Sequence, residues 1–119
     1  MPSHLAIPEV RTYLTTAAAD DLAGAAAPVA VDDRGRSAQT FTVDVRVRRG
    51  AEERRRTAHG RDIYAVTAPL AVEAVQRILD GRTSTTGVAS AGEMFDAPDF
   101  LRALAPHISL ESHRLASTR

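Results

Sequence analysis

The chain has 119 residues, enough for one domain around a single core and too few for a dinucleotide-binding domain joined to a substrate domain. Fifteen basic residues, all arginine, balance fifteen acidic ones, so no net field draws in nucleic acid or an anionic membrane surface. Without Lys there is no Schiff-base nucleophile or P-loop lysine, and without Cys there is no thiol nucleophile, disulfide or thiolate metal site.

In chain order, Ile7, Val10, Leu14 and Leu22 recur at helical spacing, and Pro8 suits an early helical position, which predicts a helix over about 8–23. Gly24 and Pro28 end it, and Asp32 to Ser37 reads as an exposed turn or loop. Phe41, Val43, Val45 and Val47 then alternate with Thr42, Asp44, Arg46 and Arg48, the pattern of a half-buried strand. Arg49 to Glu52 is a tight connection, and Arg54 to His59 is the antiparallel return. Ile63 to Val66 is expected to extend that second strand past a bulge at Gly60. Thr67 then caps a helix with Pro69 in its first turn and Leu70, Ala74, Val75, Ile78 and Leu79 along one side, stopped by Gly81. Thr83 to Gly92 is a polar surface connection. Asp96 caps a short helix carrying Phe100, Leu101 and Leu104, with Pro98 in its first turn and Pro106 after its end. A last strand over Ile108 to Glu111 returns to the sheet. The expected fold class is therefore α+β, an antiparallel or mixed sheet with two to three helices on one face. It forms a single domain over residues 1–113, followed by a loose tail over 114–119.

The functional signals are sparse. His4, His59, His107 and His113 lack the local spacing that sets two imidazoles on one metal, so no metal site is expected. Gly81 to Gly92 follows a helix rather than a strand and lacks the spacing of a pyrophosphate loop; no Ser sits in a nucleophile elbow. Arg54, Arg55 and Arg56, with Arg46, Arg48 and Arg49 across the hairpin, form either a solvated face diluted by Asp44, Glu52 and Glu53 or an anion or partner site. The aromatic interleaving of a nucleic-acid platform is missing. Gly60-Arg61-Asp62-Ile63-Tyr64 sets a charged pair and a phenol just before an expected helix N-terminus, where anions are favoured; the alternative is a surface ion pair with a half-buried Tyr64. The first ten residues lack a charged start and long apolar signal core, and no stretch reaches the length of a membrane span, so the expected location is the cytoplasm without membrane contact.

The run from Gly60-Arg61-Asp62-Ile63-Tyr64 through Thr67-Ala68-Pro69, the helix closing on Leu79-Asp80-Gly81 and the later Gly87-Val88 resemble the C-terminal half of the saccharopine dehydrogenase-like family. Weaker similarity extends over Ile7 to Leu14 and over Glu93 to Leu104, while Ala89 and Ser90 stand where that family commonly has a proline. The resemblance implies an α+β domain that closes over a substrate and dimerises through its sheet. NAD(P) would lie on a separate or missing Rossmann domain, with no cofactor held by this chain. It carries Arg61, Asp62, Tyr64 and Thr67 over as tentative substrate contacts, with no catalytic residue assigned. The expected function is thus a substrate-binding and dimerisation domain, inactive alone, encoded by a split gene, left as a remnant or excised. Two other readings stay open: an assembly module using the Arg-rich hairpin, and a cofactor-free isomerase or cyclase using Asp62 and Tyr64 as acid and base.

Overall fold

A hairpin organises the chain. In the computed structural model, which describes residues 5–24 and 26–114, β1 (Thr40–Arg49) and β2 (Glu52–Arg61) pair antiparallel from Thr40 opposite Arg61 to Arg49 opposite Glu52. The connection is Gly50-Ala51. Gly50, at φ 60°, takes the first central position of the turn, as in a type II′ hairpin whose twist suits the flanking strands. β3 (Ile108–Arg114) adds to the far edge of β2, also antiparallel, giving the order β1-β2-β3. The single small domain is α+β, and its sheet is antiparallel throughout. Of the expected tail, Arg114 ends β3 and residues 115–119 lie outside the described residues.

The register decides which side chains share a face, because opposite residues in an antiparallel pair point the same way. Phe41, Val43, Val45 and Val47 stand with Gly60, Ala58, Arg56 and Arg54 and with Ile108, Leu110 and Ser112. Thr40, Thr42, Asp44 and Arg46 stand on the other face with Arg61, His59, Thr57 and Arg55 and with Ser109, Glu111 and His113. The hairpin arginines are thereby divided. Arg55 and Arg46 reach Asp44 at 2.7 and 3.3 Å on the polar face, while Arg54 and Arg56 lie on the apolar one.

Gly60 is not a bulge. It pairs in register with Phe41 and Ile108, and a side chain there would lie 2.4 Å from the Phe41 ring, so the missing Cβ is the space in which that ring packs. Nor does β2 continue through Ile63 to Val66. α2 (Ile63–Leu79) starts there because Asp62, at φ 56°, turns the chain and its Oδ1 accepts hydrogen bonds from the backbone N–H of Tyr64 and Ala65. Thr67 and Pro69 consequently sit inside the helix rather than at its cap and first turn. Its end agrees with the sequence: Gly81 at φ 70° donates to Ile78 O and Arg82 to Arg77 O, the paired bonds of a Schellman motif.

The first helix is shorter than the periodicity predicts. α1 spans only Thr16–Ala23, because Thr15 is extended and spends its hydroxyl capping Ala18 N–H, which fixes the helix start two turns after Pro8. The connection after α2 contains one short turn of helix, α3 (Ala91–Met94), capped by Ser90. α4 (Ala97–Ala103) is capped by Asp96 with Pro98 in its first turn, as its sequence predicts. The core is small. Val66, Phe95, Phe100, Leu104 and Ile108 form its buried cluster, with Phe41, Ala74 and Met94 against it, all at the end of the sheet where β3 begins. Phe95 and Phe100 lie 5.0 Å apart between centroids in a tilted pair.

Candidate functional site

Arg61, Asp62, Tyr64 and Thr67 do not converge on one point. Arg61 closes β2 on the polar face, and its Nε donates to Ser37 O at 2.9 Å. Asp62 is buried, and both its oxygens are engaged by backbone: Oδ2 accepts from Ser37 N–H at 2.7 Å and Oδ1 from Tyr64 and Ala65 N–H at 3.1 Å. The Ser37 N–H, followed by that of Ala65, holds the Asp62 carboxyl below the ordinary carboxylate range against the opposing effect of burial. The residue thus ties the loop before β1 to the first turn of α2. Its own N–H donates to Gln39 O and completes that tie. Tyr64 is 62% exposed, and it shares with Asp62 an open depression of about 350 Å3 against Pro28 and Gly35. Thr67 faces solvent and returns its hydroxyl to Ile63 O at 3.3 Å within its own helix.

A second concavity, about 420 Å3 and open to solvent, lies on the polar face at the sheet end where β1 begins and β2 finishes. Thr42, His59 and Ser109 form one cross-strand row of its floor, and Thr40 with Arg61 forms the next, beside His107. Thr42 Oγ1 and His59 Nδ1 are 3.0 Å apart. Arg36 completes the wall from the loop before β1. That loop is held by Asp32, whose Oδ1 accepts from Arg34 and Arg36 N–H and whose Oδ2 accepts from Arg36 Nε at 2.7 Å. These bonds, the Arg36 N–H foremost, keep the Asp32 carboxyl below its usual range. The sequence signal for this cleft was the polar half of the strand alternation, legible only once the register is known.

The third feature is apolar and uncovered. On the face opposite the cleft, Val43, Val45 and Val47 are 48, 51 and 55% exposed, with Leu110 beside them. They lie on the same side of the sheet as Phe41 and Ile108, which pack with Val66 of α2, so the open valines continue outward from the core. α2 meets the core through Val66 and Ala74, but in its later turns its polarity is inverted. Its charged residues Glu73 and Arg77 face the protein, whereas Val72, Val75, Ile78 and Leu79 face solvent. Arg77 is 2% exposed, bonded through Nε to Glu73 at 2.7 Å and through Nη1 to Asp99 at 2.8 Å, with its guanidinium 5.2 Å from the Phe100 ring centre. The bond to Glu73, the largest contribution, raises the Arg77 pKa above its usual value. A surface helix of a self-sufficient domain has the opposite arrangement.

Among the described residues, no helix is long and apolar enough to cross a membrane. Comparison with known proteins returns no match, neither to a family model nor to a curated protein or a solved structure.

Proposed function

We propose that this chain is an assembly domain, the substrate-binding and dimerisation part of a saccharopine dehydrogenase-like NAD(P)-dependent oxidoreductase, with NAD(P) held by a nucleotide-binding domain outside these residues. The observation that carries the assembly half of this reading is uncovered apolar surface. Among the described residues, twenty large hydrophobic side chains are exposed against five buried ones. Exposed apolar area on that scale marks a surface that another protein covers.

The occupant assigned to the valine face is a second copy. A row of β-branched residues at alternate positions presents the same shape to its own two-fold mate. The outward face of α2 is then left for the nucleotide-binding partner. What supports the oxidoreductase half is the sequence resemblance through Gly60 to Gly81 together with the openness of the depression at Asp62 and Tyr64, which encloses nothing without a second wall. No observation favours Asp62 and Tyr64 as an acid–base pair, since Asp62 is held ionised by backbone donors and the phenol stands in solvent.

Sedimentation velocity across a concentration series, with a parallel NADPH fluorescence titration, tests both halves. A dimer that does not bind NADPH is expected. A monomer at high concentration sinks the assembly half, and saturable NADPH binding by this chain alone sinks the placement of the cofactor on a partner.

A further inference from the structure

We propose that the cleft on the polar face is a binding site for a small oxyanion, the carboxylate or phosphate group of a metabolite, gripped by Arg36 and Arg61 over a floor of His59, His107, Thr42 and Ser109. All six residues line one concavity of about 420 Å3, within the size range of small-molecule sites.

Every polar group around the cleft that is free to serve a ligand can donate. A guanidinium has five N–H donors in a planar fork and accepts nothing, each imidazole carries at least one N–H at any pH, and each hydroxyl has one proton, with one donor of the Thr42–His59 pair spent on their mutual bond. Arg36 uses Nε on Asp32, which turns its fork; its two terminal nitrogens donate to none of the described residues. Arg61 uses Nε on Ser37 O and lies 3.9 Å through Nη1 from the same Asp32 oxygen. One carboxylate therefore orients two guanidinium groups and offsets one of their two charges, leaving a surplus positive charge at the rim. Glu111 stands one row further along β3, 3.9 Å from His59 Nε2, and bounds the site on that side. Planar forks over a floor of N–H and O–H donors match an oxyanion with two or three oxygens in one plane.

The loop geometry gives the arrangement its permanence. Asp32 accepts three hydrogen bonds inside the loop, and the loop is fastened at Ser37 to Asp62 and Arg61, so Arg36 is placed before any ligand arrives. The site includes Arg61, which with Gly60 is the part of the Gly60–Thr67 segment that lines the cleft. It stands independently of dimerisation, because the valines occupy the opposite face of the sheet.

The test is a backbone amide NMR titration of the full chain with inorganic phosphate and, separately, with malonate, at fixed pH and with ionic strength matched by sodium chloride. Saturable shifts at Thr42, His59 and Ser109 are expected with half-saturation below about 10 mM, a weak site. The Arg36→Gln and His107→Ala variants should each weaken binding by about tenfold, the scale of one lost charge-assisted contact. Tighter phosphate than malonate assigns the site to a phosphate ester, and the reverse assigns it to an organic acid. Shifts that grow linearly and match those of chloride overturn the proposal. So does an Arg54→Gln/Arg56→Gln variant, on the opposite face, that weakens the shifts as much as Arg36→Gln, since the response would then be general charge attraction.

Discussion

Replacing Val45 by Thr probes the uncovered sheet face with little disturbance to the fold. Thr is β-branched and near in volume to Val, so strand propensity at this half-exposed position is kept. In the proposed dimer the change is larger. Val45 is 51% exposed in the single chain, and burying the exposed half of a valine is worth about 1 kcal/mol. An unpaired hydroxyl in a dry interface adds a penalty of its own. A two-fold interface presents the position twice, so the lost methyl transfer and the buried hydroxyl together come to about 2 kcal/mol, or roughly thirty-fold in the dimer Kd. Sedimentation equilibrium over a concentration series measures this directly, with thermal unfolding at low concentration as the check on the monomer. Arg46→Gln, on the polar face, is the control and should leave the Kd unchanged. An unchanged Kd in Val45→Thr would refute the placement of the interface on the valine face, even if the chain were dimeric.

Gly60→Ala forces a methyl group to within 2.4 Å of the Phe41 ring, and overpacking of this kind costs about 1–3 kcal/mol in urea unfolding. Leu104, 2% exposed at the centre of the small core, should lose about 2–5 kcal/mol on truncation to Ala, enough to threaten folding. The depressed Asp62 carboxyl binds its proton more weakly in the folded than in the unfolded chain. Its contribution is therefore present above the ordinary carboxylate value of about 3.9 and is lost as pH falls through the lower folded value. Acid unfolding of Asp62→Asn followed by circular dichroism should accordingly show a shallower loss of stability in that window than the parent chain.

Elements set by local chemistry were legible in the sequence. The valine alternation gave β1, Gly50 the hairpin turn, Gly81 the helix stop, and Asp96 with Pro98 the start of α4, because each depends on a residue's own backbone preference or on a partner within one turn. Ile63 to Val66 carries an ambiguous pattern, because β-branched and aromatic residues in a short apolar run fit either period. The deciding influence, Asp62 at positive φ with Ser37 bonded across 25 positions, is tertiary. The periodicity over-predicts α1 at its N-terminal side, because the apolar spacing begins at Ile7 whereas the helical hydrogen bonds begin only at Thr15.

The candidate surfaces divide along the same line. Arg61, Asp62, Tyr64 and Thr67 are neighbours in sequence, yet the end of β2 sends Arg61 to one face while Asp62 turns the chain away into α2. Conversely Arg36, Thr42, His59 and Ser109 are scattered over the chain and are gathered by register alone. The inside-out polarity of α2 was present in the sequence as Val72, Val75, Ile78 and Leu79 against Glu73 and Arg77. Which side faced the protein could not be read until Phe100 and Asp99 were seen to draw Arg77 inward. An arginine buried by its own ion pairs turns the aliphatic side of the helix to the outside. The same ion pairs that hold α2 on the small core therefore expose the surface on which the assembly reading depends.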